Sequence, residues 1–545
     1  MSSIPNKHLH DELVTNIKRV TVTTKFGSVT GGRASNGAAV WLEVPFALPP
    51  TRFADPVPLP EGWKYEEGKE YLTESKCGVT MSIAGSGETD LVEQLRPNLR
   101  TTGSEEEDVV GFGNPTEDPL FVTIAAPPSF PAKRGFPVKV YIHGGFLQFG
   151  SPHGLKSQNQ FISAERSEVW VNMGYRVSAF GFLACEAPGV DLKGNYGFKD
   201  QWLAIQWVKD NIEAFGGNPN DIQLSGLSAG AHSVHQILHY ASHLPKEVNA
   251  PFHSAIIQSN AIIATPKTPA QLRPQFDALC RALGLDPTDP DILRTLRDPS
   301  KISAEQICHV IETDAVGPEF GTFRGCVDND WMLSTPDTME WQRSGAFAAA
   351  LKEKGVRCVV VGETREEWYL YSIAHPVKIL DDVQKNLERY YDTTMVKDIL
   401  RMYPLPRKEE DVQRFYGDVF SDWQVYLPVR ILARDLLNSG YPVLRYQILW
   451  VPEQCKTDGY ITHGVDRVYW AFRLPLLYGE EDVAIARKWL DTVLDEIDAL
   501  QKEGKSARGT TEVLAVKEDK TIGWIEDAIW EEKMRLCEIL PEKSS

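Results

Sequence analysis

Residues 226–230 read Gly226-Leu227-Ser228-Ala229-Gly230, between the apolar run Ile222-Gln223-Leu224 and a helical pattern over residues 229–241. A serine with glycine two positions away on each side can occupy a sharp turn from strand to helix, because only small residues let the two elements approach closely. The turn lifts the Ser228 hydroxyl out of the sheet and sets it at a helix N-terminus, where the Ala229 N–H can receive a developing oxyanion. A serine so placed is a nucleophile for carbonyl carbon. Upstream, Lys139-Val140-Tyr141-Ile142 runs into His143-Gly144-Gly145-Phe146. A glycine pair after a strand, preceding the serine in the chain, can turn further backbone N–H groups toward the same oxyanion.

A serine of this kind needs a base, and the base needs an orienting acid. Of the twelve histidines, His243 closes the helix after Ser228, and His253, His309, His375 and His463 follow it. His463 sits in Gly459-Tyr460-Ile461-Thr462-His463-Gly464, a loop between the last strong strand pattern and a helix, and is the predicted base. Past the strand pattern Val359-Val360-Val361 stand Glu363, Glu366 and Glu367. Spacing alone leaves the acid open among the three.

The elements that must position these residues alternate. Apolar, β-branched runs at 138–142, 169–177, 222–224, 255–257, 356–361 and 443–449 are interleaved with helical patterns such as 200–215, 229–241 and 484–500. The alternation predicts an α/β protein with a largely parallel sheet and chemistry at the carboxyl ends of its strands. No internal repeat or long linker interrupts the chain. Stretches near 48–63 and 111–119 read as surface loops, and the acidic run Glu105-Glu106-Glu107-Asp108 as a solvated one.

Many separate segments now fall in one known order. They include Val44-Pro45-Phe46, Arg52-Phe53, Glu117-Asp118-Pro119-Leu120, Tyr175-Arg176-Val177, Gly194-Asn195-Tyr196-Gly197, Asp200-Gln201, Phe215-Gly216-Gly217-Asn218-Pro219, the serine turn and Gln258-Ser259. The chain resembles the type-B carboxylesterases, the cholinesterase-like branch of the α/β-hydrolase fold. The resemblance implies a large central, mostly parallel sheet with helical and loop insertions lidding a pocket. It also implies a Ser-His-Glu triad working through an acyl-enzyme. In the family the acid lies five residues after the strand-end glycine, here Gly362, which makes it Glu367; the base is followed by glycine, as His463 is by Gly464. The oxyanion donors become Gly145, Phe146 and Ala229, with Gly144 taking a part if the loop is shifted by one residue.

Three departures carry expectations. Phe146 stands where the family has a third glycine, so its ring must turn away or narrow the pocket. Leu227 replaces a frequent glutamate before the nucleophile, and no tryptophan lies between Cys77 and Glu117 to stack on a quaternary ammonium. Both changes point away from choline esters, toward neutral, apolar esters. Pro119 stands where the family has a cysteine, leaving Cys77 without its partner. The same triad serves lactones, carbamates, thioesters, amides or acyl transfer, since the pocket and not the triad chooses the substrate. A non-catalytic binding module is the remaining reading, disfavoured by having all three triad residues.

The 57 Lys+Arg against 75 Asp+Glu give a net charge of −18, unsuited to nucleic acid. Eight scattered cysteines without a CxxC pair, no Asn-x-Ser/Thr acceptor, no apolar stretch of membrane-spanning length and a polar N-terminus predict a cytoplasmic, reduced protein. His232, His235, His239 and His243 recur along one helix, but no carboxylate completes a zinc motif, so no metal and no cofactor are expected. Tyr469-Trp470-Ala471-Phe472 reads as core or pocket wall. Because loop, nucleophile, acid and base must meet at one sheet, residues 1–545 are expected to form a single domain with insertions.

Overall fold

The computed structural model describes residues 9–74, 76–78, 114–153, 159–375 and 377–540; the acidic run at 105–108 lies outside these. Twelve strands make the main sheet: β1 (Arg19–Thr24), β2 (Gly27–Arg33), β3 (Ala39–Pro45), β4 (Phe121–Ala126), β5 (Phe136–Ile142), β6 (Val169–Met173), β7 (Gly217–Leu227), β8 (Ser254–Gln258), β9 (Cys358–Thr364), β10 (Val443–Ile448), β11 (Glu512–Val516) and β12 (Ile522–Glu526). Their spatial order is β1-β2-β3-β4-β6-β5-β7-β8-β9-β10-β11-β12. From β6 across to β11 every pairing is parallel. The flanks, β1 to β4 with β4 on β6, and β12 on β11, are antiparallel.

Burial explains which strands the sequence announces. Strands β8, β9 and β10 are buried at every residue, as strands covered on both faces must be; β8 and β9 carry the apolar runs Ala255-Ile256-Ile257 and Cys358-Val359-Val360-Val361, while β10 also buries Arg445 and Gln447. Strand β1 alternates buried and exposed positions through Arg19-Val20-Thr21-Val22-Thr23-Thr24 and gives no such run. All six expected strands lie in the sheet, while the flanking β1 to β4 and the β11–β12 hairpin were not foreseen. The run expected over 169–177 stops at Met173; at Gly174 the chain passes so close to Pro119 that a Cβ would stand 2.1 Å from its carbonyl oxygen. The helix expected over 200–215 begins earlier, at Tyr196, and closes as a tighter 3₁₀ turn over Ile212–Phe215.

Helices pack both faces. Ala229–Ser242 follows β7 and is almost wholly buried. Against the other face lies Glu480–Glu503, whose Trp489 meets Tyr446 and Trp470 at ring-centroid distances of 5.8 and 5.7 Å. Tyr469, Trp470 and Phe472 belong to this second hydrophobic layer. The connections 259–357 and 365–442 are largely helical. Among the described residues no helix is long and apolar enough to cross a membrane.

Candidate active site

Ser228 follows the last residue of β7 and precedes the first of helix Ala229–Ser242, with φ 60° and ψ −126°. A non-glycine residue in that region carries about 1–3 kcal/mol of strain, held by the packing around it. Both flanking glycines are forced. A Cβ on Gly226 would lie 2.3 Å from the Gly230 carbonyl oxygen, and one on Gly230 would lie 2.1 Å from that of Ile142 on β5. The Ser228 N–H donates to the Gln258 carbonyl of β8 at 2.8 Å, tying the turn to its neighbouring strand.

The loop after β5 lies against this turn. A Cβ on Gly144 would stand 2.8 Å from the Leu227 carbonyl oxygen and 2.9 Å from the Ser228 Cβ. Gly145 (φ 113°), Phe146 (φ 56°) and Leu147 (φ 66°) carry the chain through the left-handed region. The Gly145 carbonyl accepts from Gln148 and Phe149 N–H (2.8 and 3.1 Å), and the Gln148 amide donates to the Phe146 and Phe323 carbonyls (3.0 and 2.6 Å). Among the described residues no acceptor takes the N–H of Gly145, Phe146 or Ala229. The Phe146 ring is buried and packs edge-on to Tyr371, 6.0 Å between centroids, with Phe149 and His375 beside it. His143 is stacked on Tyr175 at 4.3 Å, and burial lowers its pKa to about 4.

Of the three candidate carboxylates, the structure brings Glu367 to His463. Glu367 Oε2 lies 2.5 Å from His463 Nδ1, and both side chains are buried. Glu367 Oε1 accepts the Thr364 N–H at 2.8 Å. The other two are committed elsewhere. Glu363 accepts from Arg430 (3.0 Å) and Gln447 (2.8 Å), inside a buried group with Arg445 and Asp527. Glu366 accepts the Ile461 N–H at 2.6 Å and so holds the loop that carries the histidine. His463 Nε2 is buried and has no hydrogen-bond partner among the described residues. A Cβ on Gly464 would stand 3.2 Å from Leu227 Cδ2, which sets the histidine loop beside the serine turn.

Several supporting residues carried no signal in the sequence. The Tyr426 hydroxyl, which accepts the Glu367 N–H (3.1 Å), donates to the Arg365 carbonyl (2.8 Å). Thr462 Oγ1 accepts the Leu370 N–H, and the Tyr371 ring lies edge-on to His463 at 5.3 Å. Asp466, one turn past the histidine, accepts from the Tyr446 hydroxyl at 2.9 Å; burial, reinforced by Glu367, pushes its carboxyl up to about 6. These contacts are long-range, so no spacing rule reaches them. The histidine row on the nucleophile helix is packing: His235 is held by Gln342 (2.9 Å) and the Ile262 N–H (2.9 Å), and His239 stacks on Phe347 at 4.1 Å. Among the described residues no group of three or more His, Cys, Asp or Glu is arranged to hold a metal ion.

Residues 18–495 match the model of the carboxylesterase family. An uncharacterized esterase/lipase of Schizosaccharomyces pombe is 30% identical over 441 residues, covering 76% of this chain and 79% of the relative. The para-nitrobenzyl esterase of Bacillus subtilis is 26% identical over 495 residues, covering 89% and 88%. A solved PNB esterase structure superposes with a TM-score of 0.67 at 22% identity, over 95% of this chain and 99% of that one, and shows the same fold. With an α/β-hydrolase sheet and a family match across most of its length, the chain is an enzyme of the carboxylesterase family.

Proposed function

We propose that the protein hydrolyses carboxylic esters by acyl transfer through Ser228, His463 and Glu367. The observation that carries the reading is the buried Glu367–His463 pair, 2.5 Å apart, facing a loop beside a strained serine. His463 takes the Ser228 proton as the hydroxyl oxygen bonds to the ester carbonyl carbon. The oxyanion accepts from the N–H groups of Gly145, Phe146 and Ala229, Gly144 standing behind the serine. The C–O bond to the alcohol then breaks as His463 returns the proton to the leaving oxygen. Water, deprotonated by the same histidine, attacks the acyl-enzyme and releases the acid. Glu367 holds Nδ1 as the donor and balances the imidazolium that forms.

Leu227 in the serine turn, packed toward Gly464, supports esters that are apolar and uncharged around the scissile bond over choline esters. Lactones, carbamates, thioesters and amides, and acyl transfer to another alcohol, are further substrates of the same machinery. We further infer that residues 1–545 work as one domain, since strands from residue 19 to residue 526 share one sheet. The partner is a small ester rather than nucleic acid. A reducing intracellular location fits the free thiols of Cys185, Cys280, Cys308, Cys326, Cys358, Cys455 and Cys537; cell fractionation tests it. The decisive experiment for the chemistry is Ser228→Ala. The variant is expected to lose aryl-ester turnover and labelling by a fluorophosphonate, and continued labelling would overturn the assignment.

A further inference from the structure

The insertions 259–357 and 365–442 enclose a cavity of about 220 Å³ beside the nucleophile helix. Its lining includes His232 and Ile262 beside the helix, Tyr390, Tyr391 and Gln424 from the second insertion, and Arg324. His232 is four residues beyond Ser228, hence on the same helix face and about 6 Å further along. Its N–H donates to the Ser228 carbonyl at 2.9 Å. The cavity therefore lies one helical turn from the nucleophile.

Arg324 is the odd charge in this region. Its guanidinium stacks over the Tyr390 ring, 4.9 Å from the centroid, and among the described residues it has no hydrogen bond and no carboxylate partner. Five buried arginines are answered by carboxylates: Arg52 by Glu117, Arg176 by Asp200, Arg389 by Asp314, and Arg430 and Arg445 by Asp527. Arg389 and Arg324 line the same cavity, yet only the first is neutralised. Three carboxylates line the cavity and none is paired with Arg324: Asp392 caps a helix through the N–H groups of Thr394 and Met395, Glu388 accepts from Gln384, and Glu319 does not act on the guanidinium. Withdrawing a guanidinium from bulk water without an anion is costly, and its planar fork of donors matches a carboxylate. The guanidinium thus lies over the Tyr390 ring in the lining of the cavity.

We propose that Arg324 binds a carboxylate at the far end of the substrate, making half-acid esters the preferred substrates. This rests on the Ser228 reading and narrows it: the substrate is apolar around the scissile bond, where Leu227, Phe146 and Tyr371 gather, and acidic beyond it. The carboxylate belongs either to the acyl part, as in a half-ester of a dicarboxylic acid, or to the alcohol part.

The test compares kcat/KM for matched esters that differ only in a terminal carboxylate or methyl group. One series is the mono-4-nitrophenyl esters of C6 to C10 dicarboxylic acids against 4-nitrophenyl alkanoates of equal length. The other is butyrates of carboxylate-ended and methyl-ended alcohols. The wild type is expected to favour the acidic member in one series, with an optimum chain length that measures the distance from Ser228 to Arg324. Arg324→Met should lower the acid-to-neutral ratio about 10- to 100-fold, the loss of one charge-assisted hydrogen-bonded pair. Arg324→Lys, which keeps a point charge but not the fork, should retain part of the ratio and guards against a misfolded methionine variant. Equal ratios in wild type and both variants, or a wild type that favours the neutral member in both series, overturn the proposal. A wild type that turns over no ester of either kind in either series overturns the Ser228 reading instead.

Discussion

Glu367→Gln is the substitution for which the structure fixes the consequence most tightly. Two contacts surround the carboxylate: Oε1 accepts the Thr364 N–H at 2.8 Å, and Oε2 faces His463 Nδ1 at 2.5 Å. A glutamine has one acceptor oxygen and one NH₂ donor to fill these two places. Placing the oxygen at Thr364 sets the NH₂ against Nδ1, which must then be the acceptor, so the proton moves to Nε2 and His463 loses its ability to take one from Ser228. The reverse orientation keeps the tautomer but opposes two donors at Thr364, an unmet buried N–H costing about 1–3 kcal/mol. The productive tautomer is thus held to roughly a tenth to a hundredth of the molecules. The negative charge is lost as well. At about 4 Å between charge centres and an effective dielectric of about 20, it stabilises the imidazolium by about 4 kcal/mol, near a thousandfold in rate. Together these predict a fall in kcat of about 10⁴ to 10⁵ with little change in KM, the lower end in keeping with acid-to-amide changes in other triads.

The assay is single-turnover acylation by an aryl ester, with chemical denaturation confirming that the variant is folded. Glu366→Gln is the control. Its amide oxygen still accepts the Ile461 N–H, so acylation should stay within about tenfold of wild type. A Glu367→Gln enzyme within tenfold of wild type, or a Glu366→Gln enzyme as damaged as it, would refute the reasoning.

The remaining predictions concern the frame around the site. Gly230→Ala places a Cβ 2.1 Å from one backbone carbonyl and 2.9 Å from another. It should remove about 4 kcal/mol or more of stability, or prevent folding; an unchanged urea midpoint with full fluorophosphonate labelling would show that the turn has room. Arg430→Met leaves Glu363 buried without its cation and should cost about 3–5 kcal/mol by denaturant titration, with Arg430→Met/Glu363→Gln recovering part of it. His143, its pKa lowered to about 4 by burial, stays neutral in the folded state while the unfolded chain takes up a proton below about 6.5. Its contribution is therefore complete above pH 6.5 and is lost as pH falls toward 4, up to about 3 kcal/mol. Asp466 acts oppositely, its contribution being lost as pH rises through about 6, so the quantity to measure is the stability difference between wild type and His143→Gln. That difference should shrink between pH 7 and pH 4, and a difference independent of pH would contradict the buried neutral imidazole.

What could be read in the sequence tracks how local each constraint is. The serine turn was legible because two backbone contacts, at 2.3 and 2.1 Å, forbid any side chain at Gly226 and Gly230 and so write themselves as a five-residue pattern. Arg52, Glu117, Arg176 and Asp200 stood in the sequence only within the segments that carry the resemblance; that Arg52 forks onto Glu117 and Arg176 onto Asp200 is seen only in the fold. Glu363, Glu366 and Glu367 were not separable by spacing, because all three leave the end of one strand and differ only in what meets them. One faces Arg430 from a distant helix, one a loop N–H nearly a hundred residues on, and one the histidine. In the antiparallel flank β1 escaped for a different reason: a strand with one exposed face alternates, and a search for unbroken apolar runs passes over it, whereas β4, buried at every residue, offered such a run and was passed over all the same. Arg324 is the limiting case. Nothing in Phe323-Arg324-Gly325 distinguishes it from the arginines that are paired, because having no partner is a property of the packed insertions and not of neighbouring residues. Residues that perform the reaction are constrained by backbone geometry and leave a pattern. The residue that selects among substrates is constrained by the molecule it awaits, which leaves its trace only in the fold, as a charge the protein itself does not neutralise.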